Sequence, residues 1–391
     1  MNNIIYFNEE HHMFRNAIRK FVEKEITPYA DEWEKDGKFP RELYKKMGDM
    51  GYLGVRFPEE YGGSGLDWFY IGILVEELCR GKSAGVVVDI LLHMEAATHC
   101  ISMYGTLEQK QKFLVPAIKG EKIAALGVTE PDFGSNVAGI RTSARRVDQY
   151  YIINGSKTFI TNGTIADFIT LAVRTGGDGS GGISLLLFPT DVPGFSARKL
   201  RKVGVQSSDT AELFFDDCKI PVENLLGNEN SGFRYIMESF NGEKIVLALI
   251  SLGVVNVIWE ETMRYGLERY VFGKPVLKHQ YWRQKMADVA TRIEAARQLV
   301  YFALDKLNRD NRPTPACAMA KLYATETVKW VATECAQVFG GYGYMEEYAI
   351  SRFYRDVMAF TIGAGTSEIM REIIADSVGL RIARHADQDR C

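Results

Sequence analysis

Three stretches of different hydrophobic period follow one another along this chain, and their order limits what it can fold into. From Glu9 to about Glu121 the repeat is helical: "RNAIRKFVEKEI" places Ile18, Phe21, Val22 and Ile26 at spacings of three to four, as on one face of a helix. Between about Lys122 and Gly227 come short β-branched and aromatic runs, "YYIINGSKTFI", "FITLAVRT", "ISLLLFP" and "TAELFFDDCKIP", which read as strands. From Phe233 onward the helical repeat returns, as in Met286, Val289, Ile293, Ala296, Val300, Leu304 and Leu307. The pattern predicts an α+β chain in three parts: an N-terminal α-helical domain over 1–121, a middle β domain over 122–228 and a C-terminal α-helical domain over 229–391. With 391 residues, 46% of them apolar, the chain can supply the cores.

Two local signals refine the middle part. Asn154-Gly155 is expected to form a two-residue hairpin turn. The run "GDGSGG" (177–182) satisfies G-x-G-x-x-G but joins one strand-like run to another. A dinucleotide fingerprint needs a strand before it and a helix after it, so this is read as a glycine-rich hairpin loop.

A formal charge of -3 and a pI near 6.2 argue against a nucleic-acid surface or a polybasic membrane anchor. Cys79, Cys100, Cys218, Cys317, Cys335 and Cys391 are scattered without a CxxC pair, which suggests neither a disulfide framework nor a metal site. "MNNIIYFNEEHHMFRNAIRKF" lacks the apolar run of a secretory signal. The longest apolar run, 245–259, is shorter than a bilayer needs, contains Asn256, and reads as a buried helix. A soluble protein of a reducing compartment is expected: cytoplasmic, or of the mitochondrial matrix if this is a mature eukaryotic form.

"FTIGAGTSEIM" (360–370) sets Gly363, Ala364 and Gly365 before what reads as a helix start at Thr366, Ser367 and Glu368. Small residues allow close approach of backbone to a ligand, and a helix N-terminus offers free N–H groups. An ordinary capped turn would look the same.

Several longer motifs occur in a telling order: "FPEEYGGSGLD" (57–67), "YGTLEQKQKFLVPAIKGEK" (104–122), "GVTEPDFGSN" (127–136), "KTFITNG" (157–163), "ERYVFGKPVLKHQ" (268–280), "QVFGGYGY" (337–344) and "GAGTSEI" (363–369). By these the chain resembles the acyl-CoA dehydrogenases from about Asn8 to about Leu380. The resemblance implies an all-α N-terminal domain, a middle β-barrel and a C-terminal four-helix bundle. It also implies FAD, an acyl-CoA substrate, an electron-transfer flavoprotein as electron acceptor, and a homotetramer.

By the same resemblance Val128 and Thr129 face the pyrimidine end of the flavin, Thr161 donates toward its N5, and Phe159 packs on its ring. Arg269 reaches the pyrophosphate of a neighbouring subunit's cofactor, where a guanidinium fork suits phosphate. Phe272, Gln280, Gln337, Gly340 and Gly341 match adenosine contacts, and Thr366 and Glu368 lie on the flavin side. Ser135 matches a serine near the CoA chain and cofactor, and Gly365 lies beside the substrate. Asn241 stands where many relatives carry an Asp that touches pantetheine, and Lys244 replaces the usual Arg.

Oxidising the C2–C3 bond of an acyl thioester needs a base for the C2 proton while hydride leaves C3. In most of the family this base is a Glu in the position that Ala364 fills here. A branch resembling isovaleryl-CoA and long-chain acyl-CoA dehydrogenases carries it earlier, at the position of Glu243 in "ESFNGEKIVLALISLG" (238–253). A carboxylate heading into so apolar a helix is costly unless paired or useful. The alternative is a first-turn residue that complements the helix dipole. With Glu243 as base, Ala364 keeps a catalytic part through its backbone N–H, which bonds the thioester oxygen.

Asp89 is the odd residue of "GVVVDILLHM" (85–94), the helix that lines the distal acyl pocket in the family. It is expected either to face solvent or to face the acyl group, selecting a polar or cyclic tail. A non-catalytic flavin- or CoA-binding scaffold that has lost its base is the remaining reading.

Overall fold

The computed structural model describes residues 6–309 and 313–381; Cys391 lies outside them. The N-terminal helices are α1 (Glu9–Glu25), α2 (Ala30–Asp36), α3 (Glu42–Asp49), α4 (Trp68–Cys79), α5 (Ala84–Leu91) and α6 (His99–Tyr104), with the short α7 (Leu107–Gln109) and α8 (Val115–Ile118). Their starts follow local chemistry. Asn8 and His11 form a reciprocal cap on α1, and Asp67 accepts from the Phe69 N–H at 2.8 Å to open α4. Ile18, Val22 and Ile26 are buried, the stripe that the sequence spacing predicts.

Eight strands follow: β1 (Ala124–Gly127), β2 (Ser143–Val147), β3 (Tyr150–Thr161), β4 (Phe168–Arg174), β5 (Ile183–Pro189), β6 (Phe195–Lys199), β7 (Thr210–Pro221) and β8 (Leu225–Leu226). They form one mixed sheet, with β6 and β8 at its ends. One half runs β6-β7-β3-β2. The other holds β4, β5 and β8, with β1 parallel to β4, and a single pair, Ser143 with Arg174, joins the halves. The loop 177–182 does join antiparallel strands, β4 and β5.

Asn154-Gly155 is not a turn. Both residues lie inside β3, where Gly155 has φ 143° and the register against β7 shifts by one residue. A Cβ at Gly155 would sit 2.7 Å from the Thr142 Cα, so the glycine serves a bulge and a close approach of strands. The β2–β3 turn is made instead by Asp148-Gln149, with Asp148 at φ 52°.

The C-terminal helices are α9 (Gly232–Glu268), α10 (Gln280–Arg309), α11 (Thr314–Phe339), α12 (Ala349–Asp356) and α13 (Ser367–Ser377). The α10 stripe Met286, Val289, Ile293, Ala296, Val300 and Leu304 is buried as its spacing predicts. Helix α9 is apolar nearly all round because it runs between α4, α10 and α11. By length and hydropathy α9 and the stretch Ala84–Tyr104 could each cross a bilayer. In the fold, 78% and 83% of their most apolar windows are buried inside the protein. They are core helices.

Candidate active site and cofactor cradle

Helix α9 begins at Gly232, so Glu243 lies well inside it and the first-turn dipole explanation does not apply. The side chain is buried, and its Oε1 has no hydrogen-bond partner among the described residues. Burial pushes the carboxyl up to about 7, although the neighbouring Lys244 ammonium pulls it down. A buried carboxyl left with a free oxygen is costly to the fold, since it forgoes hydration without a substitute. One turn on, Leu247 faces the 363–365 segment: its Cδ2 is 4.0 Å from where a Gly363 side chain would begin. Residues four apart share a helix face, so Glu243 and Leu247 both look toward that segment.

The segment itself is bent. Ala364 has φ 51° and Gly365 φ 86°, two left-handed residues in succession, and Thr366 then caps α13 by accepting from the Ile369 N–H at 3.3 Å. The left-handed backbone at Ala364 costs roughly 1–2 kcal/mol. Glu368 is exposed in the first turn of α13, where its own N–H and the Thr366 hydroxyl lower its pKa. Asn241 donates to the Thr314 hydroxyl at 3.0 Å and accepts weakly from Lys244 at 3.4 Å. Lys244 is itself buried, and burial lowers its pKa.

The two motifs that the resemblance assigns to the flavin lie side by side. The Thr158 N–H donates to the Thr129 carbonyl at 2.9 Å, which sets "GVTEP" beside "KTFITN". Val128 is buried, and Thr161 ends β3 opposite Thr210. Two residues missed in the sequence hold this junction. Lys157, fully buried, donates to the Val128 carbonyl at 3.0 Å and to Glu130 at 2.9 Å, while Glu130 accepts from the Arg141 and Thr142 N–H groups at 2.6 and 2.8 Å. Burial lowers Lys157 to about 8 against the pull of Glu130. Opposite charges inside adjacent strand-like runs were the available signal.

Phe159 has φ 59° and is 68% exposed, a large aromatic held outward at a backbone cost. Ser135 is exposed in the loop after β1. At the far side, Arg269, Phe272, Gln337, Gly340 and Gly341 line one cavity of about 690 Å³, and Gln280 opens α10 beside it, next to the lining residues His279 and Tyr281. Phe272 is 95% exposed at φ 50°, in the two-residue turn between β9 (Tyr270–Val271) and β10 (Lys274–Pro275). Arg269 makes no ion pair among the described residues. Side chains at Gly340 and Gly341 would project into open space. An unpaired guanidinium, an outward aromatic and a bare glycine floor fit a nucleotide's phosphate and adenine ends.

Asp89 corrects both expectations. Its side chain is fully buried and turned toward the middle domain: Oδ1 accepts from the Ser208 hydroxyl at 2.5 Å and Oδ2 from the Asp209 N–H at 2.9 Å. Gly85, Asp89 and His93, four apart, form the face of this stretch that meets the middle sheet. A Cβ at Gly85 would strike Ser207, and His93 accepts from the Ala124 N–H at 3.0 Å. Val87, Ile90, Leu91 and Met94 take the other side, in the core they share with α9.

A three-part fold, a cavity floored by glycines beside a free guanidinium, and a buried carboxylate suit a flavin-dependent oxidoreductase. The N-terminal, middle and C-terminal domain families of the acyl-CoA dehydrogenases match residues 8–121, 125–218 and 230–379. The chain belongs to the acyl-CoA dehydrogenase family of FAD flavoproteins, and its relatives support an oxidoreductase acting on acyl-CoA. It is 39% identical over 373 residues to an acyl-CoA dehydrogenase of Bacillus subtilis, covering 95% of this chain and 98% of that one. The long-chain specific mitochondrial enzyme of Rattus norvegicus is 38% identical over 376 residues, 95% of this chain and 87% of its own. Among solved structures, acyl-CoA dehydrogenase from Geobacillus kaustophilus superimposes with a TM-score of 0.93 at 44% identity, covering 96% of this chain and 99% of that one. A chain of the electron transferring flavoprotein structure from Acidaminococcus fermentans gives 0.93 at 38%, covering 97% and 100%. A glutaryl-CoA dehydrogenase from Mycobacterium smegmatis, in complex with FADH2, gives 0.92 at 29%, covering 98% and 97%.

Proposed function

We propose that the protein oxidises an acyl-CoA thioester to the 2-enoyl-CoA with Glu243 as the base. The observation that carries this reading is the unpartnered Oε1 of Glu243, buried on the α9 face that looks toward the left-handed turn at Ala364 and Gly365. Glu243 takes the C2 proton, and with its carboxyl near 7 a substantial fraction is ionised at neutral pH. The Ala364 N–H donates to the thioester oxygen and stabilises the charge that develops as that proton leaves. Gly365, Asn241, Lys244 and Ser135 lie along the thioester and pantetheine. When bound, FAD supplies the acceptor for the hydride released from C3.

Val128, Thr129 and Thr161 hold the flavin's polar edge while Phe159 covers its ring, and Thr366 and Glu368 close the same side. Arg269, Phe272, Gln280, Gln337, Gly340 and Gly341 hold the pyrophosphate and adenosine of a neighbouring copy's cofactor, which requires a homo-oligomer, taken here as the tetramer that the family resemblance implies. Domain limits at 121 and 228 separate the helical parts from the sheet. Electrons pass to an electron-transfer flavoprotein, a reading supported by the likeness to the Acidaminococcus chain. The setting is the cytoplasm, or the mitochondrial matrix for a eukaryotic source.

Anaerobic mixing of the yellow holoenzyme with a panel of acyl-CoAs tests this. Bleaching of the flavin by at least one saturated acyl-CoA is expected, and absence of bleaching across straight, branched and cyclic members would overturn it.

A further inference from the structure

Lys321 lies in the middle of α11, fully buried, and no carboxylate pairs with it among the described residues. Its ammonium donates to the carbonyl oxygen of Gly365, 44 positions along the chain. Burying a charge that a neutral side chain could replace weakens a fold unless the charge has a use. Among the described residues, the only acceptor it reaches is the carbonyl that ends the left-handed Ala364-Gly365 pair. The Thr366 hydroxyl fixes the next residue onto α13, so the turn is clamped from α11 on one side and from α13 on the other.

We propose that Lys321 is a positioning residue for the thioester site. Its ammonium holds the Ala364-Gly365 turn so that the Ala364 N–H stays aimed at the substrate, and it adds fixed positive charge where negative charge develops on the thioester oxygen. This rests on the reading of Ala364 as that oxygen's donor. A left-handed alanine persists only where its surroundings over-determine it, and the Lys321 bond is one of the contacts that do so. The charged groups around the ammonium are Glu368 on α13, Lys244 on α9 and Glu326 on α11 itself. Burial, the largest influence, lowers Lys321 to about 8, Glu368 opposes this and Lys244 adds to it. The bond to Gly365 therefore weakens in alkaline solution, as the ammonium gives up its proton.

The test uses the FAD-loaded enzyme in wild-type, Lys321→Met and Lys321→Arg forms. Two readouts are needed: the rate of flavin reduction by the best substrate, and titration of a 3-thia-acyl-CoA of matching length. Such an analogue is deprotonated at C2 and gives a long-wavelength band against oxidised flavin, so the pH at which the band appears reports C2 acidity on the protein. Lys321→Met is expected to keep its FAD, to slow reduction about 10–100-fold with KM changed less than about threefold, and to move the band up by about one pH unit or more. Lys321→Arg, which keeps the charge, is expected to recover most of both. Unchanged rate and band in Lys321→Met would overturn the proposal. So would equal loss of FAD or thermal stability in Met and Arg variants, which would assign Lys321 to the fold. A wild-type enzyme giving neither bleaching nor a band overturns the dehydrogenase reading as well, whereas failure of this inference alone leaves wild type intact.

Discussion

Two helices carry a carboxylate into apolar surroundings, α9 at Glu243 and α5 at Asp89, and burial raises both, to about 7 and about 8. What differs is the partnering. Both Asp89 oxygens accept hydrogen bonds, from Ser208 and Asp209, whereas Oε1 of Glu243 accepts none. The first arrangement joins the N-terminal helices to the β6–β7 loop; the second leaves an acceptor free for something that is not protein. A raised pKa therefore does not distinguish a base from a strut. The free lone pair does, together with the turn it faces.

The largest effect that could break this comparison is at Glu243. Glu243→Gln should retain FAD and slow flavin reduction by about two to four orders of magnitude, the usual worth of a positioned base. A variant that bleaches at near wild-type rate would remove Glu243 from the mechanism. The pH profile sharpens the same point. With the carboxyl near 7, the wild-type rate should rise about tenfold per pH unit below 7 and level off above it. A profile flat from pH 5.5 to 8 would mean that another group takes the proton.

Asp89→Ala probes the other helix. It strands a buried hydroxyl and an N–H, so about 1–3 kcal/mol of stability should be lost, read as a lower unfolding midpoint. Activity per bound flavin should stay within about twofold on ring-bearing and straight acyl-CoAs alike, because the side chain points at the sheet. A selective loss on ring-bearing substrates would return Asp89 to the acyl pocket.

How much was legible beforehand follows the range of the interactions. The helix stripes of α1 and α10 and the strand runs are local periodicities, and they were readable. Asn154-Gly155 carried the local signature of a turn, but pairing of β3 with β2 and β7 on either side overrode it, and the glycine went to a bulge. Glu243 could be placed through the family resemblance and the apolar helix around it, while its missing partner needed the fold. Asp89 was misread because the ten-residue window showed aliphatic neighbours. The face defined by Gly85, Asp89 and His93, and what it meets, depends on contacts about 120 residues away. Lys157 and Lys321 were hidden for the same reason: each is an unremarkable lysine until its carbonyl partner is known.

The smallest effect separates the two carboxylates by stability rather than rate. Asp89 has a folded pKa near 8 against an ordinary value of 3.8, so the native state holds a proton that the unfolded chain releases. Its contribution is then fully present below about pH 4 and is lost as pH rises toward 8, since stability falls wherever the unfolded state binds fewer protons. Asp89→Asn keeps the shape and cannot ionise, and the Ser208 hydroxyl can turn to accept from the new amide. The variant should gain on wild type as pH rises, by about 1.3 kcal/mol between pH 6 and 7, close to the full slope of about 1.4 kcal/mol per pH unit for one proton; the Ser208 and Asp209 donors, which favour the charged form, are already contained in the pKa near 8. Glu243 and Asp356, raised to about 7 by burial, slope the same way in both proteins, so only the difference between the two unfolding curves is informative. A difference that does not change with pH would show that Asp89 is ionised in the native protein and that its two hydrogen bonds outweigh its burial.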